Sequence, residues 1–455
     1  MFCRASADRM MLSLGSLVGY RAMEIWHDYQ DFSVWRSLTA GSITLRRSLY
    51  SVLSTLLVAC LLTFCPASAE EAESGSSRWE KLEASAEKAF VDEEYEKSRE
   101  LWMQALKVAE SDPKQELNVA TTLNQLNHLF VHTKEYEKAS AFLKRALAIR
   151  KKLLGENHLL TAETIGNLAL ISHKLGHDHE AEDLYLEALK IKDKLLGEDS
   201  LESATTMHNL AELYSLHRDY SRARDMYEKV LSIDRKKRGD HHVEIVRDLT
   251  SLGVNAYRCK RYKEAIDYFN QAEDEASHQV RSYKVELVPI YHYLGLSYGN
   301  LKQHEKAREF HKLAHSLGTE VHGKHHPANT VALLNLAQVC DEMGEDKEAE
   351  SIYLKALNHE RERSKPSPYL LTEVNLELAQ YYHRHELDEE AERFYREALK
   401  TYAHLPGYEK RKLYELPVAF SDLLTRVGKK EEAEEISKRY LHLHSPHKLG
   451  HYRVD

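Results

Sequence analysis

A chain of 455 residues could hold two or three ordinary globular domains, but 30% charged residues with only 9 prolines and 18 glycines favour a helical build. The formal charge of −9 is spread along the chain, and basic runs such as Arg235–Arg238 are offset by Asp234 and Asp240, so no basic stripe for nucleic acid is present. Five cysteines, three of them before residue 66, exclude a disulfide-stapled fold.

Residues 1–44 carry Trp26 and Trp35 but no periodicity, and form an extension of uncertain status. Arg46 and Arg47 then precede an apolar run from Leu49 to Cys65, closed by Pro66-Ala67-Ser68-Ala69. A basic flank, a short apolar run and an Ala-x-Ala site predict a signal peptide over 45–69, cleaved near Ala69. A retained membrane anchor is the alternative, although the run is short for a span and Glu70, Glu71 and Glu73 follow it. Leu57-Val-Ala-Cys60 has the form of a lipobox, but the residues after Cys60 are apolar where a lipidated terminus carries polar chain. A signal beginning near residue 45 would make residues 1–44 an over-extended reading of the gene. Peptides from that stretch in a mass-spectrometric map of the native amino terminus would refute this. The expected destination is the periplasm or the medium, with membrane contact only through an uncleaved leader.

Residues 70–78 form a polar linker, and a first helical hairpin runs from Trp79 to about Ala109. Beyond Pro113 the apolar pattern settles into helical spacing: Ile165, Leu168, Ala169 and Ile171 on one helix, Ala181, Leu184, Tyr185, Ala188 and Leu189 on the next. The pair then recurs. Ala139, Ala181, Ala223, Ala265, Ala307, Ala349, Ala391 and Ala433 lie 42 residues apart. Ala146, Ala188, Val230, Ala272, Ala314, Ala356, Ala398 and Tyr440 keep the same interval, as do Leu126, Leu168, Leu210, Leu252, Leu294, Leu336, Leu378 and Phe420. Gly155, Gly197, Gly239, Gly323 and Gly407 mark the ends of the second helices; Arg281 and Lys365 break that column. Ser200 and Ser367 are candidate helix starts. With Ser98 standing for the first alanine, about nine hairpins follow in tandem over 79–443, the last atypical as a terminal cap would be. A hairpin this short cannot bury its apolar face alone, so the fold class is an all-α solenoid. Residues 444–455 form a His-rich tail with His444, His447 and His451, expected to be loosely held.

The paired Leu168-Ala169, the alanine before an aromatic at Ala181 and Tyr185, and the second alanine at Ala188 resemble the tetratricopeptide repeat. The period, longer than the usual one of about 34, resembles that of kinesin light chains. So does Gly323-Lys324-His325-His326-Pro327 followed by Asn335-Leu336-Ala337, with Asn167-Leu168-Ala169 and Asn209-Leu210-Ala211 repeating its second half. The resemblance implies a right-handed superhelix whose first helices line a groove. It also implies that asparagines in one groove column hydrogen-bond an extended peptide. That column reads Gln125, Asn167, Asn209, Ser251, Tyr293, Asn335 and Glu377. Candidate groove residues are Asn124, Asn167, Asn209 and Asn335, with His128, His173, Tyr257, Arg258, Gln338 and Gln380 beside them. The heptad region that joins light chains to a motor has no counterpart here.

No Walker, Rossmann, Gly-x-Ser-x-Gly or His-Glu-x-x-His pattern occurs, and no nucleophile–base pair stands out, so no catalysis, cofactor or metal is expected. His177, His179, His241, His242, His325 and His326 fall in turns, where polar side chains are common anyway. Cys259 and Cys340, on first helices two repeats apart, read as unbridged core thiols. The expected function is an exported scaffold or adaptor that binds a protein or extended peptide. The alternative is an envelope-anchored structural protein whose repeats self-associate.

Overall fold

The computed structural model describes residues 75–440, apart from 93, 278–282, 407–408 and 411–412. The leader, the extension before it, Arg281, Gly407 and the His-rich tail lie outside the described residues. Eighteen α-helices, a short 3₁₀ turn at Pro113–Gln115 and no strand occur among those described. They are α1 (Gly75–Val91), α2 (Tyr95–Glu110), α3 (Glu116–His132), α4 (Tyr136–Leu154), α5 (Leu159–Lys174), α6 (Asp178–Leu196), α7 (Leu201–Leu216), α8 (Tyr220–Arg238) and α9 (Val243–Arg258). There follow α10 (Tyr262–Ser277), α11 (Lys284–Asn300), α12 (His304–His322), α13 (Pro327–Glu342), α14 (Asp346–Arg361), α15 (Pro368–Arg384), α16 (Asp388–Tyr402), α17 (Glu415–Arg426) and α18 (Lys430–Tyr440). Odd helices open hairpins and even helices close them, so the nine expected hairpins are present. From Tyr136 to Lys430, every second helix opens 42 residues after the previous one.

The helices fall into two compact units. Among the described residues, one holds α1 to α9 with residues 274–277, and the other holds residues 262–273 with α11 to α18. α1 begins at Gly75, inside the expected polar linker, one turn ahead of Trp79. Trp79 is buried and its Nε1 donates to Thr122 Oγ1 of α3 at 2.9 Å, which ties the first hairpin to the second.

The alanine columns are the contact surfaces. The seven alanines from Ala139 to Ala391 are fully buried, and Ser98 replaces the first with its hydroxyl bonded to the Ala86 carbonyl at 2.8 Å. A methyl side chain there lets neighbouring axes approach closely; a longer one would wedge them apart. Four residues after each of these alanines stands a large buried side chain: Leu143, Tyr185, Tyr227, Phe269, His311, Tyr353 and Tyr395. At His311 the column changes chemistry and the facing helix compensates. Gly295 stands where Ala169, Ala211, Ala337 and Ala379 stand in other copies, and a Cβ on it would meet the imidazole at 2.5 Å.

Two kinds of turn punctuate the array. Within each hairpin from the second onward, one residue takes positive φ: Lys134, Gly176, Arg218, Lys260, Lys302, Gly344, Glu386 and Gly428. The next residue's N–H then reaches back to the carbonyl five positions earlier, as in Glu135 to Phe130, Arg261 to Ala256 and Lys429 to Leu424, at 2.8–2.9 Å. This is the Schellman closure, which satisfies carbonyls the helix end leaves open. Between hairpins, Gly155, Gly197, Gly239 and Gly323 take φ of 79–88°. The following helix is then capped from one column: Ser200 Oγ accepts from Ser203 N, while His158, His242 and His326 use Nδ1 to accept from Leu160, Glu244 and Ala328. Where Lys365 breaks the glycine column, α14 stops early at Arg361, and Ser367 caps α15 as expected. Cys340 is buried on α13; Cys259 corrects the expectation, since it lies in the turn after α9 and is half-buried. Both are free thiols.

Candidate functional site

The candidate residues sit on the first helices of the hairpins. In the first unit the helices α3, α5, α7 and α9 carry them, and their polar groups are largely spent on one another. Asn167 Nδ2 donates to Asn124 Oδ1 at 2.9 Å, and Asn124 Nδ2 donates to Glu163 at 3.4 Å. Asn124, Asn167 and Asn209 are 3%, 4% and 6% exposed, so these amides offer little surface to a ligand. That corrects the expectation of open groove asparagines. Buried amides need partners, and Asn124 and Asn167 serve each other. Arg150, also buried, donates to Thr164 Oγ1 at 2.7 Å and to the Leu160 carbonyl at 2.8 Å.

Farther along the same face, Arg258 donates to Glu212 at 3.1 Å and to Ser215 at 3.2 Å, and Tyr227 donates to the other Glu212 oxygen at 2.9 Å. Burial opposes the Glu212 charge, but Arg258 and Tyr227 outweigh it and hold the carboxyl below its usual range. His128 is pushed down to about 4 by burial. His173 Nδ1 meets Asp178 at 2.7 Å, and His217 Nε2 meets its other oxygen at 3.0 Å, joining two hairpins. Tyr257 is half-buried beside Arg258.

The second unit differs. Asn335 is half-exposed and contacts His292 Nδ1 at 3.3 Å; Gln338 is exposed. Gln380 lines a cleft of about 440 Å³ with His383, Arg384, Glu386, Tyr395, Ala419 and Arg426. Burial followed by the nearby Arg426 lowers the His383 imidazole, whose Nδ1 lies 3.4 Å from the Tyr395 hydroxyl. Asp341, Asp346 and His385 bring donor atoms within 4.8 Å of one another, a spacing that could hold a metal ion. The Arg384 guanidinium, however, already sits on Asp341 at 2.6 Å and supplies the positive charge there. Sequence patterning did not single out Tyr395 or Arg426 of the cleft, because aromatic and charged side chains at those helix positions look like ordinary repeat positions.

The tetratricopeptide repeat family profile matches residues 118–194, 167–236 and 286–362. Among solved structures, the apo form of the quorum sensor NprR from B. thuringiensis is similar at a TM-score of 0.56 and 13% identity, over 80% of this chain and 98% of that one. The tetratricopeptide repeat sensor protein of the signal transduction ATPase class (STAND) from Pyrococcus horikoshii is similar at 0.51 and 18% identity, over 79% of this chain and 50% of that one. A kinesin-light-chain-type array of nearly identical TPR-like repeats from Podosopora anserina gives 0.40 and 19% identity, over 44% and 95%. No curated protein sequence matches the chain. Residues 118–236 and 286–362 of the chain thus carry tetratricopeptide repeats.

Proposed function

We propose that this chain is a non-catalytic scaffold that binds an extended peptide, or a peptide segment of a protein, on the first-helix face of its second unit. The observation that carries this reading is the exposed polar lining there. Exposed Gln338 on α13 and half-buried Gln380, which lines the cleft on α15, offer amide donors and acceptors on helices whose Ala337 and Ala379 are fully buried. An extended peptide backbone needs such paired donors and acceptors, and a rigid array presents them without an ordering penalty.

A displayed library of random peptides, selected on the whole chain, tests the reading. Enriched peptides should lose at least tenfold in affinity for a variant carrying Asn335→Ala, Gln338→Ala and Gln380→Ala, and keep it for one with Glu187→Ala and Glu228→Ala on second helices. Failure to enrich any peptide, or loss confined to the second variant, would overturn it; self-association on sedimentation would then favour the structural alternative. No described helix is long and apolar enough to cross a membrane. We also propose export by the basic-apolar leader, with cleavage near Ala69; an amino terminus upstream of residue 45 in the native protein would refute it.

A further inference from the structure

Three side chains of metal-ligating type meet where α5 turns into α6. His173 lies in the last turn of α5, Asp178 opens α6, and His217 follows α7 in the next hairpin. His173 Nδ1 lies 2.7 Å from Asp178 Oδ1, and His217 Nε2 lies 3.0 Å from Asp178 Oδ2. Their side chains are 17%, 21% and 35% exposed in that order, so the trio is reachable from solvent yet partly screened from it.

The turn does not require these residues. In the 42-residue register the same three positions hold Val131, Tyr136 and Leu175 one copy earlier, and Tyr257, Tyr262 and Leu301 two copies later. All three turns nevertheless close with one backbone bond: Glu135 to Phe130, His177 to Ser172 and Arg261 to Ala256, at 2.8–2.9 Å. One other copy has ligand types at all three positions. These are Asp341, Asp346 and His385, whose donor atoms converge to within 4.8 Å. That copy also carries Arg384, with its guanidinium on Asp341. In the first unit Leu216 stands at the position of Arg384 and brings no charge to compete with a cation.

We propose that His173, Asp178 and His217 bind a divalent transition-metal ion of the zinc type. Two imidazoles and one carboxylate suit zinc, whereas calcium and magnesium prefer sets made wholly of oxygen. Water takes the fourth position. Each bonded ring nitrogen now carries a proton, because a carboxylate only accepts. On binding, the proton of a neutral imidazole passes to the other ring nitrogen, and the lone pair it leaves behind ligates. Donor atoms around a tetrahedral ion with bonds of about 2.1 Å lie roughly 3.4 Å apart. The two imidazoles stand on opposite oxygens of Asp178, so one must swing toward the other. His217, in a turn and the most exposed of the three, is placed to make that movement. The ion then ties α5 and α6 to the end of α7 in place of two hydrogen bonds.

The test uses the full chain carrying His442→Ala, His444→Ala, His447→Ala and His451→Ala, which removes the tail imidazoles as competing ligands. Calorimetric titration with zinc should show one site, and cobalt should give the visible absorption of a tetrahedral ion there. In this background His173→Asn and His217→Gln each keep an N–H for Asp178 but lose the imidazole, so each should weaken zinc at least tenfold. His177→Ala with His179→Ala, two exposed imidazoles nearby, should change it less than twofold. Equal losses in that pair would mean an adventitious ion only and overturn the site. No binding, or binding that survives both amide variants, would overturn it too. Zinc should also slow hydrogen exchange in the α5–α6 turn and at the end of α7, and leave α15 to α17 unchanged. This measurement needs no amide variant, so absence of the slowing overturns the site even where such a variant fails to fold. The peptide-binding reading concerns the second unit and stands or falls by its own test.

Discussion

Lys260 shows how a single residue can be held against its own preference. It sits at φ of 60°, in the left-handed region, because the Schellman closure of its hairpin leaves the chain no other path. A side chain with a Cβ pays about 1–2 kcal/mol to stay there. Copies that carry Gly176, Gly344 and Gly428 at the same point avoid it. Lys260→Gly should therefore stabilise its hairpin by roughly 1 kcal/mol, less the larger backbone entropy glycine loses on folding. A rise in the unfolding temperature checks this, and a fall would mean that the lysine side chain contributes a contact worth more than the strain. The histidine caps are the complementary case. A neutral imidazole accepts through Nδ1 where Ser200 uses a hydroxyl, so His158, His242 and His326 occupy one structural role. In the sequence His242 and His326 were legible only as polar turn residues, since histidine is not among the usual caps.

At the scale of the helix, the alanine columns decide where neighbours lie. Replacing the fully buried Ala181 by leucine must force α5 and α6 apart or drive the new side chain off its rotamers, at about 1–3 kcal/mol. Repeat arrays share stability only between neighbours, so the damage should stay local. Hydrogen exchange should quicken in α5 to α8 and remain unchanged in α15 to α18; uniform loss across all helices would contradict nearest-neighbour coupling. These columns were fully legible in the sequence, because a helix spacing of 3.6 and a repeat of 42 leave a signature in residue size alone. The site was legible only in part. Asn167 and Asn209 lie on first helices, as the pattern predicts, yet both are buried. Which side of a packed helix a polar group takes depends on the neighbours' volume, and a single helix's periodicity does not report it.

Across the whole molecule, burial of neutral histidines sets a dependence on acid. Burial pushes His311 down to about 3, helped by His292, and pushes His128 and His315 down to about 4. A histidine whose folded value lies below its unfolded one binds its proton more readily when unfolded. The stability it gives is complete well above pH 6.5 and is lost as the pH falls toward the folded value. For His311 the loss between pH 8 and pH 5 amounts to about 2 kcal/mol. His311→Phe, which restores the aromatic character of Phe269 and Tyr353, should reduce the acid sensitivity of hydrogen exchange in α12. Identical acid profiles for parent and variant would place the sensitivity elsewhere. His315 shares α12 and keeps part of the effect in the variant.

The constant interval between helix starts has a genetic consequence. Every hairpin from the second onward brings its own turn closure, and most bring their own cap, at fixed distances from its alanines. Unequal crossing-over between two copies at matching columns therefore deletes or duplicates a whole number of hairpins. Each product keeps an intact closure at every turn, whereas an exchange out of step leaves a helix without its stop. Such a chain can change length by recombination and still fold, and its array length is free to drift between lineages while the columns stay fixed.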